Sequence, residues 1–497
     1  MALSVAKKEA SLLKRIRGLL PSGDVGAYLV GGYIRDTLLG RKTRDIDIAV
    51  GAGATDVAQG VAAALDGHYV LLDEAEEIAR VVLVESDAAK ETQWHLDFST
   101  IRGTIETDLS RRDFTIDAMA IDLSDIGKRS PPRLIDPFLG QKDLESGLIK
   151  AVSASIFEDD PARLVRGVRL AAEYGFTIDA ATEAMMTSQS HLVSRVAGER
   201  VREELCHILS VGNAAHFIFY LDRLGLLTAI IPELTFTKGV DQPREHYWDV
   251  FNHSVQSVAT LERLLDSKTG LELLILAPHL VPHIADFEEE ISLGFTRAGL
   301  VKLAVLLHDI AKPQTKTLMP DGRAHFFGHP TQGAEVAGGI LQRLRFSNRE
   351  IKMVQKMIES HLRLWQMGGD QGLPSRRAIY RYFRDTADVS IDIIFLTLAD
   401  FLATQGPNLD VAEWERHCRL MEYVLAQREE DETVAAPPKL IDGHDLMREF
   451  GLKPGPKVGE TLEAVREAQG AGELSTKEEA LAFARRHLEP RDNPAQK

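Results

Sequence analysis

The sequence predicts an α+β protein in which a small mixed unit of strands and helices, within about the first 150 residues, precedes a helical remainder. Four short apolar runs have the length of buried strands: residues 27–30, 46–50, 68–72 and 81–84. A helical segment bounded by glycines separates the first two runs. Arg, Ala and Leu at three- and four-residue spacing predict helices from about 159 to 232, and helical patterns fill most of 250–430 apart from a turn-rich section at 319–328.

The length of 497 residues predicts three or four domains at about 150 residues each. A Pro-containing stretch at 435–438 is typical of a linker, and a compact group of helices follows it. The predicted division is a head at 1–150, a helical neck at 151–235, a second helical domain at 236–430 and a helical tail at 437–490.

Composition limits the class of protein. With 44% hydrophobic and 27% charged residues, the chain is not collagen-like, mucin-like or wholly disordered. Cys206 and Cys418 are too few for a disulfide framework, and there is neither an apolar stretch of about 20 residues nor a signal-peptide block, which together predict a cytoplasmic protein. The net charge of −16 argues against a general nucleic-acid coat protein, although residues 1–50 hold nine basic against five acidic side chains.

The stretch at 29–50, LVGGYIRDTLLGRKTRDIDIAV, is the most informative one. Asp45 and Asp47 are separated by one residue in a predicted strand, so their side chains project from the same face. Two carboxylates on one face suit Mg²⁺, which bridges to substrate phosphates and assists phosphoryl-group transfer. Gly31 and Gly32 open a helix whose N–H groups can approach a triphosphate, and Arg35 lies one turn in, placed to meet phosphate oxygens. The alternative is a turn-capping Asp-x-Asp and a glycine pair that only turns the chain.

A second set of polar residues is spread through the helical region in the order H…HD…H…H…D. An adjacent His-Asp pair near the end of an apolar helix is costly to bury unless a cation engages it. Imidazole and carboxylate together suit Mn, Fe, Co, Ni or Zn ions, which activate water for attack on a phosphoester. The alternative is a metal-free helical module. The candidate ligands are His253, His308, Asp309, His329, His361 and Asp400.

The head motifs resemble those of the class II tRNA nucleotidyltransferase and bacterial poly(A) polymerase family, of the polymerase-β-like superfamily. The likeness rests on GGYIRDTLLGRKTRDIDIA, on DLSRRDFTIDAMA at 108–120, on IDPFLGQKDLESGLIKAV at 135–152 and on DDPARLVRGVRLAAEYGF at 159–176. It covers residues 25–235 and reaches the tail at 440–459. It implies a polymerase-β-like nucleotidyltransferase head, a mixed sheet with helices, followed by an all-helical neck and tail.

This resemblance implies that Arg111, Arg112 and Asp113 lie beside the nucleotide, near its ribose and phosphates. The family commonly has Asn where this chain has Asp117, which adds an acid near the site. Asp97, in a strand-like run, is either a third carboxylate facing the metal or only a hydrogen-bond acceptor.

The resemblance also implies that the helix after Asp160 reads the incoming base. Asp160 would accept a hydrogen bond from the amino group of cytosine or adenine while Arg163 donates to ring acceptors, so that uracil and guanine leave polar groups unpaired. The alternative is a helix-capping Asp in a weak surface ion pair. Arg166 and Arg169 follow Arg163 at three-residue steps along the same helix. They either support the base-reading pair or contact RNA phosphates, or they form salt bridges with Glu173.

The ordered histidines and aspartates resemble the HD-domain phosphohydrolase superfamily. This likeness implies His253, His308, Asp309 and Asp400 as metal ligands, with His329 and His361 completing a possible second metal site. The combination resembles tRNA nucleotidyltransferases that carry an HD domain.

The implied reaction is attack of the tRNA 3′-hydroxyl on the α-phosphate of CTP or ATP, with release of pyrophosphate. The acceptor end of the tRNA would be recognised by shape and backbone. Only five residues, 103–107, separate the DFSTIR strand from the next motif, whereas full CCA-adding relatives have a longer mobile loop there. We therefore expect addition of CMP alone, next to a separate A-adding enzyme, with AMP addition left open. A poly(A) polymerase, and an HD phosphohydrolase with an inert head, are the alternatives.

Overall fold

The computed structural model describes residues 7–20, 26–51, 53–87, 90–128, 131–243, 246–292, 294–368, 372–430 and 439–489. They form two compact units, one within residues 1–196 and 221–230 and the other within 197–220 and 231–497. The predicted linker at 435–438 lies outside the described residues. None of the described helices is both long and apolar enough to cross a membrane.

The first unit is built on a seven-stranded mixed sheet in the order β3-β4-β5-β2-β1-β6-β7. Strands β2 and β5 are parallel, and the other neighbouring pairs are antiparallel. A separate two-stranded parallel ladder joins β8 to β9. The strands are β1 (Ala27–Val30), β2 (Asp45–Val50), β3 (His68–Asp73), β4 (Ile78–Asp87), β5 (Lys90–Thr100), β6 (Ala120–Asp122), β7 (Leu134–Ile135), β8 (Leu148–Ile149) and β9 (Thr177–Ile178).

Helices follow the strands of this unit and continue beyond its last strand. They are α1 (Lys7–Leu19), α2 (Gly32–Leu38), α3 (Ala54–Leu65), α4 (Ile105–Ser110), α5 (Gly140–Glu145), α6 (Ile156–Asp159), α7 (Ala162–Tyr174), α8 (Ala180–Gln189), α9 (Gly198–Ser210), α10 (Ala214–Arg223) and α11 (Leu226–Ile230). Helix α9 already belongs to the second unit, and α11 belongs to the first. Short 3₁₀ helices lie at Thr115–Asp117, Leu123–Asp125 and Ser190–Arg195.

Among its described residues, the second unit is helical apart from loops and two small two-stranded ladders. Its helices after α11 are α12 (Val250–Leu265), α13 (Thr269–Leu273), α14 (Arg297–Leu307), α15 (Lys312–Thr315), α16 (His329–Arg343), α17 (Asn348–Ser360), α18 (Arg363–Gln366), α19 (Arg376–Thr386), α20 (Ser390–Gln405), α21 (Val411–Glu430), α22 (Gly443–Phe450), α23 (Pro456–Gly470) and α24 (Lys477–Leu488). The ladders pair β10 (Glu290–Ser292) with β11 (Phe295–Thr296), and β12 (Lys316–Leu318) with β13 (Ala324–Phe326). Further 3₁₀ helices lie at Pro232–Thr237, Pro278–Glu288 and Ala387–Val389.

The core of the second unit forms around α14, whose sequence RAGLVKLAVLL is buried from Gly299 onward. A helix that is apolar on all sides is stable only when other helices surround it. Helices α12, α17 and α20 pack against it, and α12 and α20 also pack on each other. The predicted α+β class is confirmed, and the turn-rich section at 319–328 contains the turn of the β12–β13 hairpin and strand β13.

Candidate functional site

Strand β2 places two carboxylates on its less buried face. Ile46 and Ile48 are fully buried, while Asp47 is partly exposed and the Asp45 side chain is 67% exposed. The period of two along a strand produces this division. Asp45 and Asp47 therefore project from one face and are not walled off from solvent, which is the geometry that the sequence predicted.

Gly31 directly follows the neighbouring strand β1 and permits a close approach to Asp47. Its φ of +68° is a conformation that residues with a Cβ rarely adopt. A Cβ at this position would lie 2.8 Å from Asp47 Oδ2 and 2.7 Å from Arg112 Nη1. Only glycine therefore allows the turn, the carboxylate and the guanidinium to lie this close. Gly32 then begins helix α2.

The electrostatics of Asp47 reflect its crowded position. Burial raises the pKa of this carboxyl to about 6, the Arg112 guanidinium opposes the shift, and the nearby Asp97 carboxylate adds to it. Asp97 is the register partner of Asp47 on the parallel strand β5. A partly buried carboxylate beside a like charge is stabilised when a cation binds between them, so this donor set fits a hard divalent ion.

Two of the carboxylates on this face already contact basic side chains. Arg80 donates to both oxygens of Asp97, from Nε at 2.7 Å and from Nη2 at 2.8 Å. His95 Nδ1 lies 3.0 Å from Asp45 Oδ1. The Arg80 fork gives Asp97 a partner on both oxygens, which fits the interpretation of Asp97 as a hydrogen-bond acceptor.

Arg35 is placed differently from the expectation that it meets phosphates. Its side chain is buried, and Nη1 donates to Asp117 Oδ1 at 2.5 Å. Nε and Nη2 donate to the two oxygens of Asp36, and the guanidinium lies 4.6 Å from the centre of the Tyr174 ring. Arg35 therefore ties α2 to the Thr115–Asp117 turn and to α7, because Asp117 supplies a charged partner that the sequence pattern did not reveal.

Asp113 and Arg166 form the next part of the site. Asp113 accepts a hydrogen bond from the Phe114 N–H at 2.9 Å, and its other oxygen lies 2.8 Å from Arg166 Nε. Burial alone would raise the pKa of Asp113, but Arg166 and the Phe114 N–H outweigh it and lower this pKa. Arg166 Nη2 also lies 3.8 Å from Asp117 Oδ2. Asp113 is therefore an ionised anchor for α7.

The predicted base-reading pair lies at the start of α7. Arg163 donates from Nη2 to the Arg111 carbonyl at 2.9 Å, and its Nε lies 4.0 Å from Asp160 Oδ2. Asp160 Oδ1 accepts from the Ala162 N–H at 3.2 Å, as a helix-capping residue does. The pair thus shares one edge of the site with Arg111. Arg169 Nη1 lies 3.6 Å from Glu173 Oε1 in the same helix.

The second set of candidate residues converges from helix ends in the second unit. His253 lies in the first turn of α12, His308 and Asp309 follow α14, and His361 caps the end of α17. His329 is the first residue of α16, after Gly328 in a left-handed conformation. Asp400 projects from α20.

Three of these imidazoles are oriented in the same way. Nδ1–H of His308, His329 and His361 each donates at 2.7 Å to the carbonyl three residues earlier, of Val305, Phe326 and Ile358. A histidine that donates from Nδ1 keeps the Nε2 lone pair for a metal. The common arrangement turns three Nε2 atoms away from the backbone.

The ligand atoms lie close to one another. His253 Nε2 is 2.9 Å from Asp400 Oδ1, and His308 Nε2 is 3.1 Å from Asp309 Oδ2. Two groups of three have all their ligand atoms within 4.8 Å: His253, His308 and Asp400, and His308, Asp309 and His361. His308 is common to both groups. His329 Nε2 lies 3.4 Å from Asp309 Oδ1.

Burial of this cluster shifts its titrations strongly. Burial alone would lower the pKa of His308, but the carboxylates of Asp309 and Asp400 raise it to about 10, so a metal that binds Nε2 displaces a proton from it. Burial and the neighbouring His308 lower the pKa of His361 to about 3. Burial would raise the pKa of both aspartates, but the adjacent basic groups hold it well below the usual range.

The donor set of this cluster fits a divalent transition metal. Nε2 of His308, Nε2 of His329 and Oδ1 of Asp309 are buried and make no hydrogen bond among the described residues. Buried polar atoms of this kind are normally paired. Imidazole nitrogens with two carboxylates are the ligands that such a metal takes.

The sequence reasoning missed several side chains at these sites. His95 and Arg80 alternate with buried residues on their strands, but strand pairing was needed to place them beside Asp45 and Asp97. Lys312 lies three residues after Asp309, and its Nζ is 2.6 Å from Asp309 Oδ2. That i,i+3 spacing was visible in the sequence and could have identified Lys312.

The head has the fold and the paired carboxylates of a nucleotidyltransferase, and a family described as the Poly A polymerase head domain matches residues 27–150. Taken as a whole, the protein belongs to the tRNA nucleotidyltransferase family. It is 34% identical to an A-adding tRNA nucleotidyltransferase of Deinococcus radiodurans, over 96% of this chain and 98% of the relative. It is 31% identical to a CC-adding tRNA nucleotidyltransferase of Thermus thermophilus, over 92% of each chain.

Other parts of the chain match further families. Residues 175–237 match a probable RNA and SrmB-binding site of polymerase A, 250–405 an HD domain, and 409–484 tRNA nucleotidyltransferase domain 2. The fold resembles that of a Thermotoga maritima CCA-adding enzyme complexed with tRNA, with a TM-score of 0.60 and 24% identity over 98% of this chain and 97% of that one. A nucleotidyltransferase head and an HD domain both point to the use of divalent metal ions.

Proposed function

We propose that this protein adds CMP to the 3′ end of tRNA without a nucleic-acid template, using CTP and releasing pyrophosphate. The observation that carries this is the shared face of Asp45 and Asp47 beside the Gly31 turn, in a head that matches the polymerase family. Relatives that cover nearly the whole chain carry the names of A-adding and CC-adding tRNA nucleotidyltransferases.

Asp45 and Asp47 would hold Mg²⁺ in the head. When bound, Mg²⁺ neutralises phosphate charge and activates the attacking hydroxyl. The protein itself supplies the positions: Gly31 lets Asp47 and Arg112 lie against the turn, and Arg112 adds a positive charge next to Asp47. Catalysis then rests mainly on positioning and charge neutralisation.

Asp160 and Arg163 would select the base. The carbonyl of Arg111 holds the Arg163 guanidinium, so its direction is set before a nucleotide arrives. A carboxylate that accepts from an exocyclic amino group rejects uracil and guanine, because each presents a carbonyl there. The proposal assigns Arg166 and Asp113 to holding α7 in place.

The choice of CMP alone rests on the link between β5 and the Arg111–Asp113 motif. Strand β5 ends at Thr100, and Thr104 already caps helix α4 by accepting from the Thr107 N–H. A capped helix that buries Ile105 and Leu109 leaves few residues for a mobile loop. The second candidate is addition of the terminal AMP, which the identity to the Deinococcus radiodurans enzyme favours.

The deciding experiment uses three tRNA substrates, which end before the CCA sequence, after its first C and after its second C. Each substrate is incubated with CTP, with ATP, and with the two nucleotides together. Sequencing the 3′ ends is expected to show two added cytidines and no adenosine. Efficient AMP addition only to tRNA ending in CC would instead identify an A-adding enzyme. Long A tracts on unrelated RNAs would indicate a poly(A) polymerase.

The HD domain is proposed to be a metal-dependent phosphohydrolase. His253, His308, Asp309 and Asp400 would hold Mn, Fe, Co, Ni or Zn, and His329 and His361 would complete a second site. A bound metal supplies an activated water for attack on a phosphoester. Metal analysis of the purified protein and phosphate release from simple phosphomonoesters test this directly.

The two activities are separable. Changing Asp45 and Asp47 to Ala is expected to abolish CMP incorporation and to leave phosphate release unchanged, because the HD cluster shares no residue with them. Phosphate release without any incorporation by the unchanged protein would mean an inert head.

The proposed domain division is a head at 1–150, a neck at 151–235, an HD domain at 236–430 and a tail at 437–490. The last three would measure the tRNA acceptor end by shape. A separate A-adding enzyme would then complete the tRNA. A cytoplasmic location remains our proposal, and it agrees with Cys206 and Cys418 being free thiols.

A further inference from the structure

The sheet face that carries Asp45 and Asp47 continues onto strands β5 and β4. Asp97 on β5 is the register partner of Asp47, and Arg80 on β4 is the register partner of Asp97. Directly paired residues project from the same face of a sheet, so the three side chains form one row across it. The side chains of Arg80 and Asp97 are 31% and 24% exposed, so a solvent-borne ion can reach both.

Asp97 lies close enough to Asp47 to be a further ligand for a cation on this face. Burial is the first cause that raises the pKa of Asp47, and the charge of Asp97 raises this pKa further. Neighbouring carboxylates that repel each other in this way can share one bound cation. The position of Asp97 therefore allows a site with three carboxylates.

Arg80 engages both oxygens of Asp97. Its Nε donates to Oδ1 at 2.7 Å, and its Nη2 donates to Oδ2 at 2.8 Å. Two-point contacts between arginine and carboxylate are strong and fix the orientation of both groups. A cation on the remaining lone pairs of Asp97 would lie close to the guanidinium, and the two positive charges would repel each other. The contact therefore opposes metal coordination by Asp97.

Arginines also neutralise other acids around this site, but not the two carboxylates of β2. Ion pairs join Asp97 to Arg80, Asp108 to Arg112, Asp113 to Arg166 and Asp117 to Arg35. Within the part of the chain that the structure describes, neither Asp45 nor Asp47 forms an ion pair with an arginine, and Asp45 contacts His95 instead. The arginines thus leave this pair of carboxylates open to a cation.

The alternative is that Arg80 and Asp97 only stabilise the sheet, as opposite charges on paired strands do. The charge of Arg80 nevertheless acts on the whole face. Hydrogen bonding to Asp97 raises the pKa of Arg80 against the effect of burial, and the charges of Asp45 and Asp47 raise it further. Removing the guanidinium would therefore change the charge that a cation meets at all three carboxylates.

We propose that Arg80 is a positioning residue that withholds Asp97 from the divalent cation of the head, so that Asp45 and Asp47 alone hold the ion. The inference deepens the nucleotide-transfer function proposed above and rests on it. Mg²⁺ is typically bound through one or two carboxylates and keeps its other positions for water and substrate phosphates. A third carboxylate would take one of these positions and strengthen cation binding before the nucleotide arrives.

The test measures Mn²⁺ binding to the nucleotide-free, full-length protein, with electron paramagnetic resonance to count free Mn²⁺. The HD cluster is also expected to bind Mn²⁺, so the Asp45→Ala/Asp47→Ala protein is titrated in parallel and its bound Mn²⁺ is subtracted. Arg80→Gln is expected to bind Mn²⁺ at the head about tenfold more tightly than the unchanged protein, because a positive charge is removed and Asp97 is released. Arg80→Met removes the same charge and carries the same expectation.

Three controls separate the release of Asp97 from other effects. Arg80→Gln/Asp97→Asn removes the released carboxylate as well, so its Mn²⁺ affinity should return to within about threefold of the unchanged protein. Arg80→Lys keeps the charge and should also stay within about threefold. Arg343→Gln breaks a similar two-point contact, with Glu233 in the second unit, and should leave Mn²⁺ binding unchanged. The proposal is overturned if neither uncharged variant of Arg80 gains affinity, or if the gain persists when Asp97 is also changed.

CMP incorporation into tRNA that lacks its 3′ CCA is measured separately. Failure of the nucleotide-transfer function would appear as no incorporation by the unchanged protein, whatever the Mn²⁺ affinities. Failure of this inference alone would appear as incorporation by the unchanged protein, with Arg80→Gln and Arg80→Met losing thermal stability but binding Mn²⁺ no more tightly. That second result is the one expected of a purely structural ion pair.

Discussion

Replacing Gly31 with alanine tests the close approach between the glycine turn and the carboxylate face of β2. At a φ of +68° and a ψ of −142°, which glycine adopts far more easily than other residues, an alanine costs about 1–3 kcal/mol in backbone strain. Its Cβ would lie 2.8 Å from Asp47 Oδ2 and 2.7 Å from Arg112 Nη1, whereas ordinary contact begins at 3.4 Å. Both atoms end flexible side chains, so they are displaced by about 0.6–0.7 Å while the fold is retained.

A displacement of this size at the reacting centre is costly, because a misplacement of about 1 Å can reduce the rate about 100-fold. We expect kcat/KM for CMP incorporation to fall about 30- to 100-fold in Gly31→Ala. The assay follows labelled CMP entering a tRNA that lacks its 3′ CCA, under single-turnover conditions.

Gly40→Ala is the matched control. Gly40 has a φ of +70°, and nothing lies within 4 Å of a Cβ built there. This variant also places an alanine at a positive φ but displaces no side chain, so both variants should lose thermal stability while only Gly31→Ala loses turnover. The reasoning is refuted if Gly40→Ala loses as much activity, or if Gly31→Ala stays within about threefold of the unchanged protein.

Three further predictions concern buried and charged groups. Asp117→Ala removes the carboxylate that lies 2.5 Å from the buried Arg35 guanidinium. Denaturant unfolding should show that the free energy of unfolding falls by about 3 kcal/mol. A decrease of less than about 1 kcal/mol would contradict a stabilising role for this ion pair. Chelation of the metal should lower the melting temperature of the metal-loaded protein. His308→Ala should abolish this decrease, because His308 is common to both ligand groups. An unchanged decrease in this variant would contradict metal binding by the HD residues. Burial alone would raise the pKa of Asp385, but Arg384 and Arg363 together outweigh burial and lower this pKa. The stabilisation by Asp385 is therefore present above the unfolded pKa of about 4 and is lost as the pH falls through the folded pKa. The stability difference between the unchanged protein and Asp385→Asn, about 1 kcal/mol at pH 7, should therefore shrink towards pH 3, and a constant difference would contradict the linkage.

Periodicity was sufficient to predict the parts of the site that depend on one element. The alternation in β2 put Asp45 and Asp47 on one face, and the run at 27–30 became strand β1 with unchanged bounds. The HD residues were predicted as a group because their order along the chain resembles that of the HD-domain superfamily, and the ligand atoms of His253, His308 and Asp400 lie within 4.8 Å of one another.

Contacts between distant segments could not be predicted in this way. Arg35 pairs with Asp117, which is 82 residues away in the sequence. This ion pair engages the guanidinium that the sequence analysis expected to contact phosphate. Such contacts depend on how helices pack, and helical spacing does not contain that information.

The most direct measurement of the central claim is CMP incorporation by Asp47→Asn, which removes one charge from the face of β2 without changing its shape. Metal-assisted charge stabilisation is worth several kcal/mol, so incorporation should fall about 1,000-fold. Asp56→Asn, an exposed position in α3, makes the same chemical change away from the face and should keep full activity. Incorporation by Asp47→Asn within about tenfold of the unchanged protein would contradict the account.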